Sequence, residues 1–256
     1  MHGIGVDPVA VSAATEAGIC VVNTPTANVQ SVAEHAIALV FTLAKQITMA
    51  DRAARRGDFG FKYQADLIEL SGLKLGLLGF GHIGQATARL GRALGMSVVA
   101  YSPSRSDEAF EQLKVQRATN LEAVLTEADI LSIHLPLNPS TRGLIGAREI
   151  DLMKRDAILI NTSRGAIIDE RALIDALQRR SIKGAGLDVF TSEGMGQDYE
   201  LLHLDNVVLT PHIAGSTEAC LARTAREVAD QVVCVLEGRR PQHLINPDVW
   251  IRRRTA

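Results

Sequence analysis

Residues 73–84 read LKLGLLGFGHIG, an apolar run that passes into three glycines with the spacing G-x-G-x-x-G. The apolar run predicts a buried strand, and the residues after the second glycine predict a helix. The first glycine permits a tight turn, the second lets the backbone approach a pyrophosphate, and the third lets the helix pack on the strand. The phosphates would meet the free N–H groups at the positive end of that helix. Because a second strand follows at 97–101, the stretch predicts a nicotinamide dinucleotide site on a βαβ unit. The residues of that site are Gly79, Gly81, His82, Ile83 and Gly84.

Apolar runs typical of strands alternate with helical segments along most of the chain. Further strands are expected at 130–135, 157–161, 185–189 and 206–209. These runs are apolar throughout, as expected when helices cover both faces of a sheet. The pattern therefore predicts an α/β fold, a doubly wound parallel Rossmann sheet. A short strand at 19–22 and a long helix at 31–56, capped by Ser31 with Glu34, are expected before it.

The composition argues against several classes of partner. Hydrophobic residues make up 46% of the 256 residues, enough for a sizeable core. The net charge of −2 and the sequence pI of about 6.4 argue against a nucleic-acid partner. The sequence shows neither a long apolar run nor a signal-like start, so we expect no membrane partner and a cytoplasmic protein. The three cysteines are scattered without metal-ligand spacing, and no metal is expected.

The end of the second strand bears on the choice between NAD and NADP. A carboxylate there would bind the ribose 2′-hydroxyl and repel a 2′-phosphate. This chain has Ser102 at that position, and Ser104 and Arg105 follow, which could hold a phosphate. The sequence therefore favours NADP. NAD is the alternative, with Arg105 as an exposed loop cation.

Reactive side chains follow three of the predicted strands. They are Arg164, Glu193 and His212. Ligands of open α/β sheets bind outside the carboxyl ends of the strands, so these side chains should gather there. Arginine offers a fork to a carboxylate, histidine exchanges a proton near neutral pH, and glutamate can hold an imidazole and raise its pKa. The three residues predict a site for a keto acid.

Several motifs resemble those of the D-isomer-specific 2-hydroxyacid dehydrogenases. The matching segments are GFGHIG at 79–84, HLPL at 134–137, INTSRG at 160–165, LDVF at 187–190, TPHIAG at 210–215, and 28–35 with SVAEH. The resemblance runs over nearly the whole chain. It implies transfer of a hydride between C4 of the nicotinamide of NAD(P) and C2 of a D-2-hydroxyacid or 2-keto acid. Glyoxylate and hydroxypyruvate reductases and phosphoglycerate dehydrogenase are members of this family.

The resemblance also implies roles for individual residues. Arg164 would bind the substrate carboxylate and polarise the C2 carbonyl, and His212 would protonate the carbonyl oxygen. Glu193 would pair with His212 and keep it protonated. Further cofactor contacts implied by the resemblance are His134, Pro136, Thr162 and Asp188, the last with the nicotinamide carboxamide. The substrate contacts implied are Ile4 and Gly5, in a turn whose N–H groups would hold the carboxylate.

The resemblance implies a division of the chain into a cofactor domain and parts of a second domain. Residues 26–213 would form the NAD(P)-binding domain, 1–25 a remnant of a flavodoxin-like substrate domain, and 214–256 a segment that returns to it. Most of that substrate domain would then be absent, so we expect normal cofactor binding with weak or absent turnover. A homodimer is expected through the long helix at 31–56. A non-catalytic cofactor-binding sensor and a phosphite dehydrogenase are the alternatives.

Overall fold

The computed structural model describes residues 3, 5–192, 196 and 198–254. The chain divides into two compact units, Met1–Val32 with Gly215–Ala256, and Ala33–Ala214. The larger unit carries a parallel sheet, and the smaller unit is built from the two ends of the chain. None of the described helices is long and apolar enough to cross a membrane.

The sheet of the larger unit has seven strands within the described residues, in the order β3-β2-β1-β4-β5-β6-β7. All neighbouring strands pair in parallel. The strands are β1 Lys74–Leu78, β2 Ser97–Tyr101, β3 Gln116–Arg117, β4 Ile130–Ile133, β5 Ile158–Asn161, β6 Gly184–Leu187 and β7 Val207–Leu209. The predicted doubly wound Rossmann sheet is confirmed. Its order reverses between β1 and β4, which is where such folds bind ligands.

Helices cover both faces of this sheet. The helices that lie wholly in the larger unit are α3 Ile47–Arg55, α4 His82–Ala93, α5 Asp107–Gln112, α6 Leu121–Glu127, α7 Ala147–Asp151 and α8 Glu170–Gln178, and α2 Val29–Ala44 enters it. Successive strand residues point to opposite faces, so Leu77 packs in one apolar cluster and Leu78 in the other. Strands β4, β5 and β6 are buried along their whole length. Burial on both faces explains why these strands are mostly apolar and do not alternate with polar residues. The buried polar exceptions are Ser132 in β4 and Asn161 in β5.

The expected single helix at 31–56 is wrong in two respects. The helix begins at Val29, and the Ser31 hydroxyl lies 2.8 Å from that of Thr217 instead of capping a helix end. It stops at Ala44, whose carbonyl accepts a hydrogen bond from the N–H of Ile68. Gln46 then adopts a left-handed conformation with φ of 47° before α3 starts. The composition of residues 31–56 favours a helix throughout, but the hydrogen bond from Ile68 coincides with the end of the helix at Ala44.

The smaller unit contains α1 Val11–Glu16 and α9 Glu218–Leu236. The strand expected at 19–22 is reduced to one antiparallel bridge between Val22 and Leu244. The Asn246 side chain accepts from the N–H of Val21 and donates to the carbonyl of Ile19, each at 2.9–3.0 Å. Side-chain hydrogen bonds therefore join the two chain ends where a longer strand pairing was expected.

Candidate active site at the carboxyl edge of the sheet

The glycine-rich loop joins β1 to α4. Gly79 has φ of +96°, and a Cβ there would lie 2.3 Å from the carbonyl oxygen of His134. A Cβ at Gly84 would lie 2.3 Å from the carbonyl oxygen of Gly79. Packing therefore demands glycine at both positions.

Packing within the protein does not require glycine at position 81, because there is space around this residue. The nearest atom to an added Cβ would be Nη2 of Arg105, at 3.8 Å. Gly81 is also the N-cap of α4, and no side chain caps that helix. Free N–H groups next to open space fit the pyrophosphate of a dinucleotide.

The turn after β2 carries the residues expected to choose between NAD and NADP. Ser102 is buried and Ser104 is exposed, and the N–H of Arg105 donates to the carbonyl of Ser102 at 3.3 Å. Arg105 is only partly exposed, and its guanidinium extends to the space over Gly81. Among the described residues, no acid pairs with it. Asp107 forms an ion pair with Arg117 instead.

The segment after β4 lies against the glycine-rich loop. His134 Nε2 lies 3.0 Å from the hydroxyl of Ser132, and burial lowers the pKa of His134 to about 4. The imidazole is therefore neutral at pH 7. Pro136, two residues further on, is exposed at the surface. The segment thus places a neutral imidazole and an exposed proline at the edge of the sheet where the cofactor is expected.

The turn after β5 holds a buried hydroxyl that has no hydrogen-bond partner among the described residues, that of Thr162. Its neighbours are both engaged. Asn161 Nδ2 donates to the carbonyl of Arg164 at 2.9 Å, and Ser163 Oγ donates to the carbonyl of Ile133 at 2.7 Å. Leaving a buried hydroxyl without a hydrogen-bond partner costs free energy. Its position at this sheet edge therefore fits a hydroxyl that forms its hydrogen bond with a bound ligand.

Arg164 begins the short 3-10 turn 165–167, and its guanidinium Nη1 donates to the carbonyl of Ser163 at 2.6 Å. The next residue explains how this turn is placed. A Cβ at Gly165 would lie 2.0 Å from the carbonyl carbon of Phe190, so only glycine permits the contact. The turn of Arg164 therefore packs directly on the segment that follows β6.

Asp188 directly follows β6 and holds the loop that carries His212. Its carboxylate is fully buried and accepts hydrogen bonds from the Thr210 hydroxyl at 2.6 Å and from the N–H groups of Ile213 and Ala214 at 2.9 Å each. The N–H of His212 donates to the main-chain carbonyl of Asp188 at 2.9 Å. His212 has φ of 54°, an uncommon conformation for a residue with a side chain, and it is exposed. The loop thus presents an imidazole to solvent on a backbone that Asp188 fixes.

The structure links the segments of Arg164, Asp188 and His212 through the contacts of Gly165 and of the Asp188 carboxylate. Glu193 and Ile4 lie outside the described residues. Gly5 lies in the smaller unit and is partly exposed. Sequence reasoning missed His35, whose Nε2 lies 2.9 Å from the hydroxyl of Thr210. The motif at 28–35 contained that histidine, but its spacing gave no partner.

No cluster of metal-binding side chains occurs in the part of the chain that the structure describes. Among curated proteins, the chain is 41% identical over 244 residues to D-3-phosphoglycerate dehydrogenase of Methanocaldococcus jannaschii, covering 95% of this chain and 46% of that protein. It is also 41% identical over 252 residues to glyoxylate reductase of Aeropyrum pernix, covering 96% of this chain and 75% of that protein. The chain thus spans less than half of the first relative and three quarters of the second.

Solved structures agree with these relatives. An NADPH-dependent glyoxylate/hydroxypyruvate reductase from Sinorhizobium meliloti superposes with a TM-score of 0.87 at 30% identity, covering 96% of this chain and 78% of that one. Residues 37–214 match the family model described as D-isomer specific 2-hydroxyacid dehydrogenase, NAD binding domain. That range contains the glycine-rich loop, Arg164 and the loop of His212. The chain therefore belongs to the D-isomer specific 2-hydroxyacid dehydrogenases, and its larger unit is the nicotinamide-dinucleotide-binding domain of that family.

Proposed function

We propose that this chain is an NAD(P)-dependent oxidoreductase that interconverts a small 2-keto acid and the corresponding D-2-hydroxyacid. The observation that carries the proposal is the loop 210–214. It presents the exposed imidazole of His212, and the buried carboxylate of Asp188 fixes its backbone. The loop follows β7, in the same sheet whose β1 leads into the glycine-rich loop. The relatives named above, a glyoxylate reductase and a D-3-phosphoglycerate dehydrogenase, support this chemistry.

The bound nicotinamide supplies or accepts the hydride, and the chain's own residues do the rest. His212 gives a proton to the carbonyl oxygen in reduction and takes it back in oxidation. Arg164 supplies a planar fork for the carboxylate of the acid. The Thr162 hydroxyl serves as a polar contact for the cofactor, and Glu193 supports His212. Three hydrogen bonds to Asp188 leave about one of its four acceptor positions, on Oδ2, for a carboxamide N–H.

The proposal is tested by following the absorbance of the reduced cofactor with glyoxylate and hydroxypyruvate, for the wild type and His212→Asn. We expect His212→Asn to lower kcat by about 100- to 10,000-fold, the usual worth of a general acid, while the Kd for NADPH stays unchanged. His203→Asn, at an exposed histidine of the same unit, is the matched control and should keep wild-type turnover. Equal rates for the wild type and His212→Asn with every 2-keto acid would overturn the proposal.

The proposed cofactor is NADP in preference to NAD. Arg105 supports this choice because its guanidinium reaches the space over Gly81 and forms no ion pair among the described residues. Ser102 is buried and places no carboxylate there that would repel the 2′-phosphate. The exposed Ser104 supplies a hydroxyl that can bind the phosphate. The S. meliloti reductase, which is NADPH-dependent, is consistent with this choice.

Titration of both reduced cofactors tests this preference. Loss of a hydrogen bond to a charged group costs about 1.5–3 kcal/mol, so Arg105→Ala should weaken NADPH about 10- to 100-fold. Its effect on NADH should be small. Arg89→Ala, at an exposed arginine on α4, is the control and should change neither Kd. Tighter binding of NADH than NADPH by the wild type would reject the preference.

We also propose a homodimer. Large apolar side chains stand exposed in the segment 47–67, where Ile47 is 50%, Phe59 76%, Tyr63 83% and Leu67 54% exposed. Such a run is typical of a surface that another chain covers. Light scattering after gel filtration should give twice the chain mass, and Phe59→Ser with Tyr63→Ser should give the monomer. A monomeric wild type at micromolar concentration contradicts this proposal.

A further inference from the structure

A histidine on α2 is connected to the loop of His212 through the half-buried side chain of Thr210 and the buried side chain of Asp188. His35 Nε2 lies 2.9 Å from Thr210 Oγ1, and Thr210 Oγ1 lies 2.6 Å from Asp188 Oδ1. The Asp188 carboxylate in turn accepts the N–H groups of Ile213 and Ala214. The connection therefore runs from helix α2 to the two backbone N–H groups that directly follow His212, entirely within the larger unit.

The direction of each hydrogen bond in this connection follows from the groups involved. The Thr210 hydroxyl donates to Asp188 Oδ1, since a carboxylate oxygen accepts hydrogen bonds, so the hydroxyl proton points to that oxygen. The Thr210 oxygen is then left as an acceptor, and His35 must donate to it from Nε2–H. His35 Nε2 also lies 3.5 Å from Asp188 Oδ1, close enough for its N–H to favour the negative charge there. His35 thus orients the hydroxyl and contributes to the stabilisation of a fully buried carboxylate.

Helix α2, which carries His35, packs closely on strand β6. Strand β6 has glycine at the two positions that α2 crosses. A Cβ at Gly186 would lie 3.0 Å from Cβ of Leu39, and one at Gly184 would lie 3.3 Å from Cδ2 of Leu43. The helix therefore lies directly on β6, the strand that Asp188 follows. A donor on α2 keeps its position relative to that carboxylate.

We propose that His35 is a positioning residue for the reaction, acting through Thr210 and Asp188 on the backbone that presents His212. The inference rests on the proposed function only for its kinetic consequence. His212 adopts a left-handed backbone, which persists only where surrounding contacts hold it. Those contacts are the hydrogen bonds to Asp188, and their geometry depends on the hydroxyl that His35 orients. Loss of the His35 donor leaves the loop in place on average but looser, so the imidazole is presented less accurately.

The test compares His35→Leu, which removes the donor, with His35→Gln, whose amide can still donate to Thr210. Thr210→Val and Thr210→Ser form a second matched pair, since valine has the shape of threonine without the hydroxyl and serine keeps it. Hydrogen exchange of the Ile213 and Ala214 amides by NMR reports on the loop. Turnover of a 2-keto acid reports on chemistry, and cofactor titration on binding.

We expect exchange at the two amides to become about tenfold faster in His35→Leu and Thr210→Val and to recover in His35→Gln and Thr210→Ser. We expect kcat to fall about 10- to 100-fold in the first pair, the cost of a small misplacement of a catalytic group, with the Kd for NADPH within about twofold of wild type. The double variant His35→Leu with Thr210→Val should have the same kcat and the same amide exchange as either single variant, because both substitutions remove the same hydrogen bond.

Two outcomes overturn the proposal. Unchanged exchange and unchanged kcat in His35→Leu would show that the link does not position the loop. Equal damage in His35→Gln and His35→Leu would show that His35 only fills space. A wild type without turnover would contradict the proposed function, whereas the exchange measurement would still decide whether His35 holds the loop.

Discussion

Replacing His134 with glutamine should remove a specific acid sensitivity of the fold. Burial lowers the pKa of this imidazole from 6.5 to about 4. Between these values the unfolded chain binds a proton at this residue and the folded chain does not. The stabilisation is therefore complete above pH 6.5 and is lost as the pH falls toward about 4. At 1.36 kcal/mol per pKa unit, the full effect is about 3 kcal/mol, of which about 2 kcal/mol is lost by pH 5.

The assay is urea denaturation between about pH 7 and about pH 4.5, followed by circular dichroism. Tryptophan fluorescence would be misleading, because the single tryptophan, Trp250, lies in the smaller unit. Between pH 7 and pH 5 the wild type should lose about 2 kcal/mol more free energy of unfolding than His134→Gln. His82→Gln, at an exposed histidine, is the control and should follow the wild type. Parallel pH profiles for the wild type and His134→Gln would refute the reasoning.

Three substitutions test how packing and ligand space are divided in the larger unit. Gly81→Ala places a Cβ in open space, so the melting temperature should stay constant while the Kd for NADPH rises about tenfold or more; tight binding by this variant would contradict a pyrophosphate at the loop. Gly165→Ala would bring a Cβ to 2.0 Å from the main chain of Phe190, so its calorimetric melting temperature should be lower than that of the wild type. An equal melting temperature would show that this close contact is not required. Phe110→Ala removes a ring stacked on Phe80 at 4.4 Å between centroids, and urea denaturation should show a loss of about 3–5 kcal/mol, with a loss under about 1 kcal/mol arguing against a packed pair.

Most of the sheet could be predicted from local patterns. The apolar runs marked six of the seven strands within the described residues, because a strand buried on both faces must be apolar along its length. The exception is β3, which has only the two exposed polar residues Gln116 and Arg117 and so carries no apolar signal. The break of the long helix at Ala44 was also invisible, since the N–H that meets its last carbonyl comes from Ile68.

The candidate site could be predicted in part. The positions of Arg164 and His212 followed from where strands end, because the carboxyl ends of parallel strands share one edge of a sheet. Asp188 was implied by the family resemblance alone. The cofactor contact of Asp188 stays a prediction, and the sequence did not indicate that its carboxylate also accepts hydrogen bonds from the loop at 210–214. Only side-chain positions could reveal those donors.

The sequence by itself determined the parallel sheet, the glycine-rich turn and the strand ends that carry the reactive side chains. Each of these depends on residues near one another in the chain, where periodicity and glycine spacing act. The tertiary structure alone decided that Gly79 and Gly84 are required by packing while Gly81 leaves space, and that His35 donates to Thr210. The last two residues are 175 positions apart. Their meeting depends on the close approach of α2 to β6, which the whole fold sets and no local pattern records.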